Sequence, residues 1–287
     1  MDSRSDAPLL VFVHLRKTAG TTVSYVMWRQ FRRGEVIDLN APSVEAANQT
    51  WNAKPAEPRA RIRCIRGHLP YGPDLFAPRT TTCFTVLRDP VERFVSEYYF
   101  NLSNAGEQFH DVMTCERMTL GQFVNSELSA EVRNAQTRLL AGADSGARPE
   151  EMLDSAIRNL RERMAVVGIS ERLDETLLLC RAILGWRHVI YRRINVNRRR
   201  PATESIAPAT LATIERANSL DRQLYRFACL QFEELLRANH ITSSEVAALR
   251  RASQAYHAAR RLIGLPRELW IEAHMAAARR RVARSHR

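Results

Sequence analysis

Pro8 to Thr22 reads PLLVFVHLRKTAGTT, an apolar run that breaks into a short polar turn and resumes as a helix. Leu9 to Leu15 is rich in Leu, Val and Phe and predicts a buried strand. Thr21 to Phe31 predicts the helix that follows. A strand, a tight turn and a helix N-terminus together make an anion site, because backbone N–H groups converge there and the helix dipole adds partial positive charge. Lys17 and the hydroxyls of Thr18, Thr21 and Thr22 would complete a cradle for phosphate or sulfate. The lysine is informative by its rarity: of 43 basic residues only Lys17 and Lys54 are lysines, which leaves 41 arginines. A lysine in this turn points to a need for a compact ammonium rather than a planar guanidinium. The plainer alternative is an ordinary strand-to-helix turn with a solvated lysine. A nucleotide-triphosphatase loop does not fit, since it requires an upstream glycine and the order Gly-Lys-Ser/Thr, whereas here Lys-Thr precedes the glycine.

A second strand-to-helix junction lies at Cys83 to Phe100, CFTVLRDPVERFVSEYYF. Cys83 to Leu87 is strand-like. Asp89 is a predicted N-cap, Pro90 fits the first helical position, and Glu92 would complete a capping box. Val91, Val95, Tyr98 and Leu102 repeat at helical spacing and predict the buried face. Arg88 then falls at a strand's carboxyl end and Ser96 two turns into the helix, at the edge where open α/β sheets bind ligands. Between the junctions, Arg61 to Leu69 (RIRCIRGHL) predicts a strand ending in Gly67-His68. A histidine just past a strand end suits general-base work, because its ordinary pKa lies close to neutrality. Taken alone, His68 could equally be a surface histidine, and Arg88 and Ser96 a structural pair.

The order Lys-Thr-Ala-Gly-Thr-Thr resembles the 5′-phosphosulfate loop of sulfotransferases that use 3′-phosphoadenosine 5′-phosphosulfate (PAPS), and Cys83 to Phe100 is similar to their 3′-phosphate element. The Gly67-His68 pair resembles the heparan sulfate 2-O-sulfotransferase and uronyl sulfotransferase branch, whose histidine is the catalytic base. That branch can carry a second histidine two residues earlier, where this chain has Arg66. Asn134 to Arg138, Val166 to Leu173, Ile194 to Pro201 and Leu224 to Phe232 are similar to later segments, so the resemblance covers about residues 8 to 237. It implies a P-loop-like three-layer α/β sulfotransferase fold with a central parallel sheet flanked by helices. It further implies catalytic Lys17 and His68, and a donor site built from Lys17, Thr18, Ala19, Gly20, Thr21, Thr22, Arg88, Ser96, Asn197 and Arg198. Arg66, Asn134, Gln136 and Arg138 are the candidates for placing the acceptor. The donor would be PAPS, the product 3′-phosphoadenosine 5′-phosphate (PAP), and the acceptor a hydroxyl, first of all on a glycan, with no metal. The rival readings are a basic anion- or nucleic-acid-binding protein and a nucleotide kinase.

Length and composition bound these readings. At 287 residues, with 45% hydrophobic and 26% charged residues, the chain can bury a substantial core. Strands alternating with helices predict a parallel sheet, with further strands at Val36 to Leu39 and Ala165 to Ile169 and loops at Asn52 to Arg59 and Gly142 to Pro149. Cys64, Cys83, Cys115, Cys180 and Cys229 are odd in number and lack a CxxC pair, against a disulfide framework or a zinc site; all but Cys115 are expected to be buried thiols. A net charge of +12 suits a polyanionic donor, and no nucleic-acid module or aromatic-basic interleaving supports a nucleic-acid partner. Basic residues crowd Arg192 to Arg200 and Arg279 to Arg287. No apolar run reaches the length of a membrane span and no signal-peptide pattern opens the chain, from which a cytoplasmic bacterial enzyme is expected. A sulfotransferase domain over residues 1–240 and a basic helical C-terminal extension over 241–287 are expected. A capping box at Thr242 and Glu245 starts that extension, which could pack on the domain, shape the acceptor site or form a homo-oligomer.

Overall fold

The computed structural model describes residues 8–72, 75–77, 79–142, 148–192 and 203–259. β1 (Leu9–Val13) leads through the polar turn into α1 (Gly20–Trp28). β2 (Val36–Asp38), α2 (Val44–Asn52) and α3 (Ala56–Arg61) follow, then β3 (Cys64–Gly67) and β4 (Thr81–Leu87). A helical stretch comprises α4 (Pro90–Ser103), α5 (His110–Cys115), α6 (Leu120–Asn125), α7 (Ala135–Ala141) and α8 (Pro149–Arg163). β5 (Met164–Ile169) is followed by α9 (Leu173–Leu184), α10 (Pro208–Ala217), α11 (Ser219–Ala238) and α12 (Ser243–Ala259).

The five strands pair in parallel in the order β2-β3-β1-β4-β5. Every residue of β1 is buried, as a strand covered on both faces must be. The chain builds β2 and β3 on one flank of β1, then crosses to build β4 and β5 on the other. That makes β1 the point where strand order reverses, and ligands bind at the carboxyl ends beside such a point. The loops leaving β1, β3 and β4 there carry Lys17, His68 and Arg88. Phe12 and Phe84 lie opposite each other in the register and stack at 4.6 Å, tying the middle of the sheet together just below that edge. A second core joins Phe94, Val95 and Tyr98 of α4 to Phe123 of α6 and Ile214 of α10, so one side of α4 belongs to a separate packing unit.

The α/β sheet, its strand order along the chain and the strand-to-helix junction at Cys83 to Phe100 follow the sequence reading, with five differences. β1 stops at Val13 rather than Leu15, because Lys17 and Ala19 take left-handed φ of 64° and 62° and turn the chain out of the ladder. The predicted loop at Asn52 to Arg59 holds α3; Pro55 occupies its N-cap and Pro58 its first turn, where no intrahelical N–H is needed. α3 in turn shortens the strand expected from Arg61 to Cys64–Gly67. Asp89 caps α4 by accepting from Glu92 N at 3.0 Å, but the Glu92 carboxylate does not close the capping box. It turns instead to Arg88 and to Thr203 Oγ1. Of the cysteines expected inside, Cys229 is only half-buried, since it sits on a partly exposed side of α11.

Of the C-terminal extension, α12 is described. Its Thr242–Glu245 capping box is present, with Thr242 N donating to Glu245 at 3.0 Å and Glu245 N to Thr242 Oγ1 at 3.3 Å. α12 packs on the sheet domain: Leu249 joins the main core, Arg250 Nε pairs with buried Asp174 at 3.0 Å, and Tyr256 bonds Tyr25 of α1 at 2.8 Å.

Candidate active site

The turn after β1 is shaped by backbone. Two non-glycine residues with positive φ, Lys17 and Ala19, flank Thr18 and curl the chain into a concave nest at the start of α1. Such conformations cost energy in L-residues and cluster at functional sites. The N-cap position of α1 is Ala19, which has no side-chain oxygen, so no side chain caps the helix. Thr18 Oγ1 faces inward and donates to Leu15 O at 2.9 Å, fixing the turn rather than facing a ligand. Thr22 is buried and Thr21 half-buried. Gly20 has to be glycine: a Cβ there would lie 1.6 Å from His14 Nε2.

Lys17 Nζ sits 3.4 Å from the centre of the Phe100 ring on α4, a cation–π contact. Burial pushes its pKa down to about 8, against the opposing pull of Glu97. The neighbouring Arg16 bridges Glu97 at 2.8 Å and Glu107 at 3.0 Å. Burial by itself would raise the Glu97 carboxyl, but Arg16 and Lys17 outweigh it and hold the pKa at about 2. Sequence reading passed over Arg16; a cation beside the loop lysine was the available signal.

His68 leaves β3 just past Gly67, whose missing Cβ would meet Leu39 O at 1.5 Å. Its backbone N–H donates to Asn40 Oδ1 at 2.8 Å. Its ring Nδ1 lies 2.6 Å from His14 O. A carbonyl only accepts, so Nδ1 carries the proton and Nε2 holds the lone pair, the tautomer a base requires. Burial first, then Arg16 and Arg66, push the His68 pKa down to about 3 and keep the ring neutral. Arg66 lowers this pKa, but burial is the larger cause.

Arg88 is held from several sides. Its Nη1 donates to Lys17 O at 3.1 Å, its Nη2 to Glu92 at 3.1 Å, and its Nε faces Glu171 at 3.6 Å. Gln136 clamps its backbone in both directions, accepting from Arg88 N at 3.0 Å and donating to Arg88 O at 2.9 Å. Glu92, Ser96 and Phe100 repeat every four residues on α4 and so share one face. That face puts half-buried Ser96 between the residue paired to Arg88 and the ring under Lys17. Asn197 and Arg198 lie outside the described residues.

The acceptor candidates are otherwise engaged. Arg66 Nε faces Asp38 of β2 at 3.3 Å. Asn134, in left-handed conformation, accepts from Leu220 N and Asp221 N at the start of α11. Arg138 donates to the carbonyls of Ala130, Glu131 and Arg133. Gln136 and Arg138 still line a cleft of about 480 Å³ together with Arg16, His68, Glu97 and Phe109. The cleft therefore joins the histidine to one side of the Lys17 turn.

The sheet edge thus carries a lysine in a left-handed turn and a neutral histidine, and comparison with known proteins gives the family. A family model described as Galactose-3-O-sulfotransferase matches residues 2–264, and the chain belongs to that family. It is similar to pig Galactose-3-O-sulfotransferase 2 (Sus scrofa), 25% identical over 76% of this chain and 59% of that protein. Bovine Galactose-3-O-sulfotransferase 3 (Bos taurus) is 29% identical over 75% and 55%. Bovine Galactosylceramide sulfotransferase is 26% identical over 85% and 62%. The chain thus spans a little over half the length of the curated relatives it matches. Two expectations change. The match names a galactose-directed family rather than the heparan sulfate and uronyl branch. The cytoplasmic assignment is overturned, since the relatives are Golgi sulfotransferases of animals, which leaves a bacterial source without support. That assignment rested on what the given residues do not show, and a compartment cannot be read from an absence. No helix among the described residues is long and apolar enough to cross a membrane.

Proposed function

We propose that this protein transfers a sulfuryl group from PAPS to a hydroxyl of a galactose-terminated glycan, and that Lys17 and His68 do the chemistry. One observation carries the reading: a lysine in a left-handed turn and a histidine whose Nε2 holds the lone pair stand at one sheet edge, linked by His14, which stacks on His68 and lies against Gly20 of the turn. The residues present fit the donor. A concave turn with no side-chain cap suits an anion, and Arg88 lies against the same turn. The bound donor supplies an electrophilic sulfur and a leaving phosphate oxygen. The nest binds the 5′ end through the N–H groups of Lys17 to Thr21, and Lys17 Nζ stabilises the negative charge that builds on the leaving side. Arg88 and Ser96 hold the 3′-phosphate, for which Arg88 exchanges its contact with Glu92. His68 Nε2 takes the proton of the acceptor hydroxyl as that oxygen attacks. The 480 Å³ cleft, with Phe109 and Leu139 on its walls, holds the sugar and keeps water from the turn. This reading narrows the acceptor from a glycan hydroxyl to one on a galactosyl sugar. It gives Asn134 and Arg138 structural work and leaves the donor site to Lys17 to Thr22, Arg88 and Ser96.

The test combines binding and transfer. Calorimetry at 0.15 M salt should give tight binding of PAP, with ATP and duplex DNA much weaker. Radiolabelled PAPS should sulfate a terminal β-galactoside in preference to a uronic-acid oligosaccharide. Preferred binding of ATP or DNA would refute the assignment, and preferred labelling of the uronic acid would refute the acceptor.

A further inference from the structure

We propose that His14 is a positioning residue, its imidazole stacked on His68 and seated on Gly20 so that the base and the anion turn are held as one unit. The inference rests on the sulfuryl-transfer reading with His68 as base. His14 follows β1 and is 7% exposed. Its ring lies 4.3 Å from that of His68 at an interplanar angle of 28°, and 5.1 Å from that of Phe12 at 27°. Phe12 in turn stacks on Phe84 at 4.6 Å. A ladder of four rings therefore runs from the middle of the sheet up to the base. Phe12 and His14 stand two residues apart and so face the same side of the strand direction.

The backbone of His14 works to the same end. Its carbonyl accepts from His68 Nδ1 at 2.6 Å, and its N–H donates to Gly67 O at 2.9 Å. On the other side of the ring, Nε2 occupies the space that a side chain on residue 20 would need. One residue thus touches the base, the strand end that carries the base, and the first residue of α1. His14 Nδ1 is buried and makes no hydrogen bond, so this nitrogen contributes nothing that a partner could reward. The contribution of the side chain is its aromatic face, which restrains the His68 ring while leaving the Nε2 edge open. This chain has Arg66 at the position on β3 two residues before His68, and the second imidazole comes instead from the turn after β1.

The charged groups around the two rings are Arg16 and Lys17 after β1, Arg66 on β3 with Asp38 of β2 paired to it, and Glu97 on α4. Removing the ring of His14 opens a space for water beside His68 and relieves the burial that depresses its pKa. The acid limb of kcat/KM should then move up toward the ordinary histidine value in His14→Ala.

The test takes His14→Leu, His14→Phe, His14→Ala and His68→Ala, each assayed for PAP affinity by calorimetry, for kcat and for its pH profile. His14→Leu should lose about 10²-fold in kcat with PAP affinity kept, the scale of a small misplacement of a reacting group. His14→Phe, which restores an aromatic face, should recover part of that loss. In the His68→Ala background, His14→Leu should cost nothing further. Wild-type turnover in His14→Leu beside an inactive His68→Ala would overturn the proposal and leave the base assignment standing. Loss of PAP affinity in step with kcat would reduce His14 to a structural residue and overturn it too. Full activity in His68→Ala would remove the base and the proposal together.

Discussion

Lys17 carries its charge in a place that resists it. The ammonium lies on the Phe100 ring, burial brings its pKa down to about 8, and Glu97 resists that shift. A lysine with a lowered pKa is protonated below that value and neutral above it. The free enzyme should therefore lose its leaving-group stabiliser as pH rises through about 8, and kcat/KM should fall there. The limb in kcat should lie higher, because a bound polyanion favours the ammonium. Lys17→Arg should move the limb out of range while lowering turnover, since a guanidinium is planar and larger. Lys17→Ala should cost about 10²-fold or more in kcat, the usual scale for a preorganised charge. An alkaline limb unmoved in Lys17→Arg would assign it to another group. On the acid side the pKa of His68 is held near 3, so the profile should stay flat through the mildly acidic range.

At the scale of elements, the site depends on a polar junction buried beneath it. Asp221 at the start of α11 is fully buried. It accepts from Thr137 N and Oγ1, both at 2.7 Å, and from Gln136 N at 3.3 Å, and it faces Arg93 of α4 at 3.8 Å. Arg93, itself 2% exposed, donates to Val132 O. The junction locks α4, α7 and α11 together, and Gln136 passes the order on to the Arg88 backbone. Asp221→Ala would strand a buried guanidinium and free several donors. It should cost about 3–5 kcal/mol of stability, the range for one partner of a buried pair. Denaturant unfolding measures this directly; a loss below about 1 kcal/mol, the worth of an exposed pair, would show that water reaches the junction.

At the scale of the whole molecule, α12 is tied to the sheet domain along its length. Leu249 enters the main core, Arg250 pairs with Asp174, Ser253 Oγ accepts from Tyr191 N at 3.2 Å, and Tyr256 bonds Tyr25. The helix and the domain should then unfold in one transition. Leu249→Ala should lower the stability of that transition by about 2–5 kcal/mol, as for other buried leucines. Calorimetric unfolding that shows a separate early transition for the C-terminal helix, with the main one unmoved, would make α12 an appendage.

How much of this was legible beforehand varies with the range of the interaction responsible. The apolar run into Lys-Thr-Ala-Gly and the Leu-Arg-Asp-Pro junction were readable because a strand, an N-cap and a proline at the first turn are local, set by neighbours a few residues away. So the parallel α/β class, the strand-to-helix turn and the candidates Lys17, His68 and Arg88 could be found from residue order alone. The left-handed φ of Lys17 and Ala19 could not, since non-glycine residues adopt it only when the surrounding fold imposes it. Nor could the duties of Asn134 and Arg138, whose polar groups are taken up by the start of α11 and by nearby carbonyls. The stacking of His14 on His68 joins residues 54 apart in the chain, brought side by side only because β1 and β3 pair in this register. Residue order determined which chemical groups stand at the sheet edge; packing across the strands decided which of them touch, which are neutral and which are already occupied.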